Sequence, residues 1–426
     1  MNVLFLCHRF PFPADGGAKI RPLRMIRHLS RRHAVHVVSM IRDDAEAEGA
    51  AGLSESCASF AAPRVDRAAQ LARTAAAPLA GRPLSFGYFG SPAVQAAVDA
   101  MRARHRFDRI VAFCSSMAPY VAGARDVPRL LDFCDVDSEK WRLLAPTVPL
   151  PRRAAFAYEA RALARWERRY AAEFELSTVA TPAELDTLRA MGAPRADWFP
   201  NGVDLEAFAP QAGPHDADLL CFVGRMDYLP NEACVVEFVR STWPLVRAQR
   251  PGARFAIVGA APTPAVRALG AVDGVEVTGS VPDVRPWLGR AAAMVAPLSI
   301  ARGVQNKVLE SMAIGVPVVT SALVARGVDA QPGRDLLVAD APAEVAQAAL
   351  RCMREPAHRA RLAAAARARV VERYGWDAAM ERFERLLEAT GAPSGAGGAP
   401  SGRDGAPAVP QCLAGSRPDH QNAEST

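Results

Sequence analysis

A rhythm constrains this chain more than any single motif. Short, unbroken apolar runs alternate with stretches of helical periodicity, and the series runs through twice. "NVLFLC" opens it, followed by "AVHVVSM", "FDRIVAFC", "RLLDFC" and "LSTVAT". Between the first two lies "IRPLRMIRHLSRR", with Ile20, Leu23, Ile26 and Leu29 recurring at helical spacing. Apolar runs without alternation suit strands buried on both faces, as in a parallel sheet covered by helices. After "ADWFPNGVDLEAFAP" the series restarts with "DLLCFVGRMDY", then "RFAIVG", "VEVTGSV", "AAMVAPL" and "PVVTSA". Two such halves predict two Rossmann-like α/β domains with a boundary near residues 200–215.

Length agrees, because 426 residues exceed one ordinary hydrophobic core. Half the residues are hydrophobic and 23% are charged, a soluble globular composition. A net charge of +6 suits anionic small ligands or an anionic membrane surface and does not demand nucleic acid. No zinc-finger spacing appears, and no basic and aromatic residues interleave as in RNA-binding sheets. The eight cysteines form no CxxC pair, so reduced, mostly buried thiols are expected, with neither disulfides nor metal. The apolar start is too short for a signal segment, and no run reaches a membrane span of roughly 18 residues, so a cytoplasmic place is expected. "GAPSGAGGAPSGRDGAPAVPQCLAGSRPDHQNAEST" at 391–426 is expected to be disordered, since it cannot bury enough apolar surface to offset its ordering entropy.

The chemistry concentrates in "ARGVQNKVLESMAIGVPVVTS" at 301–321. At roughly 100° per residue, Asn306, Lys307 and Glu310 share an arc of about 100° on a short helix. Val308, Leu309, Met312 and Ala313 occupy the other side. Gly315 suits the left-handed helix end, and Pro317 prevents continuation. Taken alone, this is either an exposed i,i+3 ion pair or a polar site facing a ligand.

The stretch G-V-Q-N-K-V-L-E-S-M-A-x-G-x-P-V-V resembles the donor-binding segment of retaining, group-4 glycosyltransferases of the two-Rossmann-domain (GT-B) type. The resemblance covers most of residues 1–390. "DGG" at 15–17 is similar to the family's first-domain glycine loop, and "PNGVD" at 200–204 to its entry into the second domain. "FVGRMDYLPNEACVVEF" at 222–238 resembles its strand, "GR" and helix, and "RYGWDAAMERF" its returning C-terminal helix. "SSMAPY" at 115–120 and "DVDSEKW" at 135–141 look like a subgroup of sugar transferases accompanying bacterial exopolysaccharide and PEP-CTERM protein-sorting systems.

The resemblance implies an α/β GT-B architecture, two Rossmann-like domains facing each other across a cleft. It implies an acceptor domain at 1–205, a nucleotide-sugar donor domain at 206–370, and a crossover helix at 371–390 returning to the first domain. The implied activity is hexosyl transfer from a UDP- or GDP-linked sugar, with retention by front-face attack and no metal, to a glycan or lipid-linked acceptor. Glu310 would hold the ribose hydroxyls, a carboxylate offering two acceptors to vicinal hydroxyls. Arg225 and Lys307 would stabilise the leaving diphosphate. Gly16, Gly17, Gly224 and Asn306 would complete the donor site.

Two departures stand out. Arg302 occupies the position of the family's first glutamate, and no lysine follows the "GR" arginine, which leaves Lys307 as the second cation. A sugar-nucleotide epimerase and a non-catalytic scaffold of the same fold remain alternatives.

On the acceptor side, His8, Ser115, Ser116, Asp135 and Asp137 follow strand ends. His8 is either a cleft residue or an ordinary strand-end histidine. Asp135 and Asp137 are either site carboxylates or caps of a helix near Ser138. The basic stretch at 151–174, bearing Phe156, Leu163, Trp166 and Tyr170, either packs on its own domain or lies on anionic lipid.

Overall fold

The computed structural model describes residues 1–14, 17–211, 213 and 215–391. The expected disorder at 392–426 and the Gly16 assignment lie outside the described residues.

The first half forms a seven-stranded parallel sheet: β1 (Asn2–Cys7), β2 (Ala34–Val38), β3 (Ser59–Ala61), β4 (Arg109–Phe113), β5 (Arg129–Cys134), β6 (Leu176–Val179) and β7 (Ala196–Trp198). Its order is β3-β2-β1-β4-β5-β6-β7. The second is six-stranded: β8 (Asp216–Val223), β9 (Arg254–Val258), β10 (Val275–Gly279), β11 (Ala291–Ala296), β12 (Val318–Thr320) and β13 (Leu337–Val338), ordered β10-β9-β8-β11-β12-β13. Each is a doubly wound α/β sheet, as the repeated rhythm predicts. The unbroken apolar runs are the central strands: every residue from Val3 to Cys7 and from Ala291 to Ala296 is buried, because helices cover both faces. In each sheet the order reverses beside the opening strand, between β1 and β4 and between β8 and β11. A crevice forms outside the carboxyl ends at such a point.

The link between the halves is built from polar residues of "PNGVD". Arg21, 1% exposed, donates to Asp132 at 2.8 Å, to the Phe199 carbonyl at 3.2 Å and to Asn201 at 2.9 Å. The Val203 amide bonds to the Tyr374 carbonyl at 2.7 Å. A Cβ on Gly202 would come within 2.5 Å of the Trp376 ring, so glycine is what lets the returning helix pack there.

That helix, Trp376–Ala389, lays Ala379, Met380, Phe383 and Leu387 into the first-half core beside Val3, Phe5 and Leu29. Glu384 is buried among His28 and His33, each 2.9 Å away, and Arg32. Burial opposes its ionisation, yet hydrogen bonds from His28 and His33 and the Arg32 charge prevail and hold its pKa below the ordinary value. A depressed carboxylate stabilises above its unfolded pKa, near 4.5, and that contribution is lost as pH falls through the folded value. Glu384→Gln is therefore expected to cost roughly 1–3 kcal/mol at neutral pH by removing the carboxylate that accepts from His28, His33 and Arg32. Urea denaturation checks this: the variant should lose less further stability than wild type below pH 4.5.

The helix Arg152–Glu173 places Leu163 and Tyr170 in the first-half core, with Trp166 packed against it. The packed reading of 151–174 is thus correct for its apolar side; Arg152, Arg153, Arg161 and Arg165 are exposed.

Candidate functional site

The site is best built from the end of β8. There the chain must turn without a side chain in the way. A Cβ on Gly224 would lie 2.7 Å from Asn231 Nδ2, and one on Gly259 (φ +146°) would lie 1.8 Å from the Gly224 carbonyl oxygen. The tight turn brings the Arg225 carbonyl to Asn231 Nδ2 at 2.8 Å. Asn231 is 4% exposed and sits in the first turn of the helix Leu229–Glu237. Its Oδ1 accepts from Lys307 Nζ at 2.5 Å, and the Lys307 ammonium lies 4.8 Å from the centre of the Phe222 ring. One amide thus joins the end of β8 to the helix that follows β11, across the reversal point of the sheet.

That second helix, Asn306–Ile314, buries Val308, Leu309, Met312 and Ala313, and Gly315 ends it with φ +83°. Asn306, Lys307 and Glu310 are half-buried on the opposite side. Burial pushes the Lys307 ammonium down to about 8, against the pull of Cys234 and Glu310. Burial likewise pushes the Glu310 carboxyl up to about 7, against Lys307. Asn306 Oδ1 is buried with no hydrogen-bond partner. Both shifts oppose folding of the charged forms, as in a site arranged to receive a ligand carrying hydroxyls and negative charge. Arg225 reaches outward instead: it is 65% exposed and pairs with Asp227 at 2.9 Å.

For an anionic ligand carrying hydroxyls, the two shifts set a pH dependence. Below about 7, Glu310 gains a proton and loses acceptor capacity; above about 8, Lys307 loses its charge. Affinity for such a ligand is expected to be highest between these values and to fall on both sides. Calorimetry across the range checks it, and the alkaline decline should vanish in Lys307→Arg.

Arg302 does not point to a donor. Its Nε lies 2.8 Å from Glu184 Oε1, and its Nη2 donates to Oε2 at 3.0 Å. Glu184 belongs to a first-half helix, Pro182–Ala190, where it also accepts from the Val136 amide at 2.9 Å. The residue that the resemblance sets in the place of a glutamate therefore ties the two halves together. Beside it, Gly303 (φ +62°) presses on Asp135, whose Oδ1 a Cβ would approach to 2.0 Å.

The facing edge of the first sheet holds the acceptor-side candidates. Asp135 follows β5 and has a buried, unpartnered Oδ1. Burial, then the charges of Glu184 and Asp137, push its carboxyl up to about 7. Neither aspartate caps the next helix, which spans Asp137–Leu144 and has Val136 at its N-cap without a side-chain bond. Asp137 lies 3.8 Å from Lys140 and accepts a weak contact from the Cys114 thiol at 3.7 Å. His8, after β1, is caged by Phe89 at 5.0 Å and Phe113 at 5.8 Å. Burial, then the charges of Arg9, Arg42 and Lys140, lower its pKa to about 3, so it is neutral. Ser115 and Ser116, 3% and 4% exposed, form the turn after β4, with Ser116 Oγ unpartnered. Gly17 opens the helix Gly17–Leu29.

Buried polar atoms are ordinarily paired. Among the described residues, the buried side-chain atoms without a hydrogen-bond partner include His8 Nδ1, Ser116 Oγ, Asp135 Oδ1, Ser138 Oγ and Asn306 Oδ1, which belong to segments following β1, β4, β5 or β11. The carboxyl edges of both sheets thus carry buried polar atoms that the described residues leave unsatisfied.

Residues 217–355, which span the second sheet, match a family described as "Glycosyl transferases group 1", so this half is a glycosyltransferase domain. No curated protein matches the chain. Among solved structures, the chain is similar to sucrose-phosphate synthase from Thermosynechococcus elongatus, at 17% identity and TM-score 0.67, covering 91% of this chain and 98% of that one. It is similar to HepE from Anabaena in complex with UDP-glucose, at 16% and 0.63, covering 91% and 100%. A third is alpha,alpha-trehalose 6-phosphate synthase from Burkholderia multivorans, at 12% and 0.61, covering 91% and 98%. At these identities the likeness establishes the fold: α/β, GT-B, with two parallel Rossmann-like sheets.

Proposed function

We propose that this glycosyltransferase moves a hexosyl group, with retention, from a nucleotide-linked sugar to a glycan or lipid-linked acceptor. The observation that carries the reading is the Arg225–Asn231–Lys307 connection beside Glu310, at the reversal point of a sheet that bears the family pattern. The UDP-glucose complex of HepE, a protein of the same fold, supports a uridine nucleotide as the donor.

In this reading the donor domain holds the nucleotide. Glu310 accepts hydrogen bonds from the ribose, and Lys307, with Arg225 swung in from Asp227, balances charge growing on the leaving diphosphate. The bond from the anomeric carbon to the diphosphate oxygen breaks as the acceptor oxygen attacks the same face; the acceptor proton passes to the departing phosphate. Asp135, Asp137 and His8 line the acceptor side. The finer assignment to exopolysaccharide or cell-envelope synthesis rests on "SSMAPY" and "DVDSEKW". It places the enzyme at the inner face of the cell membrane.

The test is release of nucleoside diphosphate from labelled UDP- and GDP-sugars, with and without saccharide acceptors. Acceptor-dependent release with label in the product supports transfer. Isomerisation of the donor without acceptor would make the chain an epimerase, and binding without turnover would make it a scaffold.

A further inference from the structure

The first half carries a second feature that the donor chemistry does not use. A cavity of about 510 Å³ lies among the helix Arg67–Ala76, the turn Ala77–Ala80, the helix Leu84–Phe89 and the turn after β4. Arg73, Arg82, Gln95, Ser116 and Tyr120 supply its polar lining, and no lining residue is acidic. Arg73 Nε and Ser116 Oγ are buried with no hydrogen-bond partner among the described residues, and Ser116 is only 4% exposed. Neither arginine forms an ion pair among the described residues. The Tyr120 hydroxyl is already committed: it donates to the Phe89 carbonyl at 2.6 Å and accepts from the Ser91 amide at 2.7 Å. Apart from Ser91, the remaining lining is apolar, including Phe86 and three alanines. Two guanidinium groups and an unpaired hydroxyl over an apolar floor match a phosphate attached to a hydrocarbon.

The rim adds a second, independent observation. Leu79 is 92% exposed on the turn that forms one wall, and Leu71 is 55% exposed on the preceding helix. The segment rests on the long helix Arg152–Glu173, through Tyr158 Oη donating to the Arg82 carbonyl at 3.0 Å. At the start of that helix Leu150 is 74% exposed beside exposed Arg152 and Arg153. Exposed leucines among arginines are the side chains that enter an anionic lipid surface. No helix among the described residues is long and apolar enough to cross a membrane, so such contact would be peripheral.

We infer that this cavity binds the phosphate of a lipid-borne phosphate ester, with Arg73, Arg82 and Ser116 on the phosphate and Leu79 in the lipid. The inference rests on the transferase reading in making that lipid the acceptor, and it narrows the acceptor to the lipid-linked class.

The experiment is flotation of the full chain with phosphatidylcholine vesicles, with and without phosphatidic acid. Wild type should bind the phosphatidic acid vesicles. Arg73→Gln/Arg82→Gln should weaken binding about 25-fold, two cationic contacts at about fivefold each. Leu79→Asp should also weaken it, while calorimetric UDP binding stays unchanged in both. Arg152→Gln/Arg153→Gln removes the same charge outside the cavity and should have a clearly smaller effect. Equal loss in the two double variants would reduce the effect to surface charge and overturn the site. Inorganic phosphate binding as tightly as the vesicles, with Leu79→Asp unaffected, would overturn the lipid assignment. Failure of the transferase reading shows separately, as absent binding of both UDP and GDP to wild type.

Discussion

Lys307→Ala is expected to lower transfer about 100- to 1,000-fold, the usual effect of removing one preorganised charge from a developing anion. The way the lysine is held suits the proposed task. Asn231 fixes its ammonium at 2.5 Å, the Phe222 ring lies under it, and burial keeps its pKa near 8. A cation already part-desolvated interacts more strongly with a diphosphate than one in water. Alanine also leaves Asn231 Oδ1 without its donor, so the end of β8 should loosen. Asn231→Ala, which keeps the charge but frees it, is expected to lower the rate about tenfold, a smaller loss than that of the charge itself. Steady-state kinetics on both variants checks the order. An Asn231 effect larger than that of Lys307 would assign the amide the leading role.

Gly303→Ala should damage the enzyme through the interface of the two halves. Alanine at φ +62° costs about 1 kcal/mol in backbone strain, and its Cβ would sit 2.0 Å from Asp135 Oδ1. Asp135 follows directly on β5, so the loop bearing Gly303 must yield. Its movement would part Arg302 from Glu184, leaving a carboxylate that is 3% exposed without its cation. Breaking a buried pair from one side costs about 3 kcal/mol. Arg302→Ala should reproduce most of that loss without the steric wedge. Urea denaturation measures both, and Glu184→Gln combined with Arg302→Ala should recover part of the stability because no buried charge is then stranded.

How much of this was legible in the sequence depended on whether the signal was local. Central strands were readable because burial on both faces leaves continuous apolar runs, as in "VLFLC". β3, β7 and β13 were not: each has three residues or fewer and lies on a sheet edge, with its residues only half-buried. Too few residues remain to build a pattern. The polar arc of Asn306, Lys307 and Glu310 was readable because helical spacing alone places them together.

The partners of that arc were not. Asn231 sits in "LPNEA", where nothing local distinguishes a buried amide from a solvated one in a helical first turn. Only the tertiary approach of Lys307, 76 residues away, gives it a role. Glu184 and Arg302 are 118 residues apart, so Arg302 read as a lost glutamate when its contact is with the other half. His8 was legible as a strand-end residue, whereas its cage of Phe89 and Phe113 depended on packing.

In the proposed function a nucleotide binds at the carboxyl edge of the second sheet against Lys307 and Glu310. Calorimetric titration of UDP and GDP into wild type, Lys307→Ala and Glu310→Gln at pH 7.5, about midway between the two shifted pKa values, tests it most directly. Saturable one-to-one binding of at least one nucleotide to wild type is expected, weakened about tenfold or more in each variant. Unchanged affinity in both variants, or no binding of either nucleotide to wild type, would contradict it.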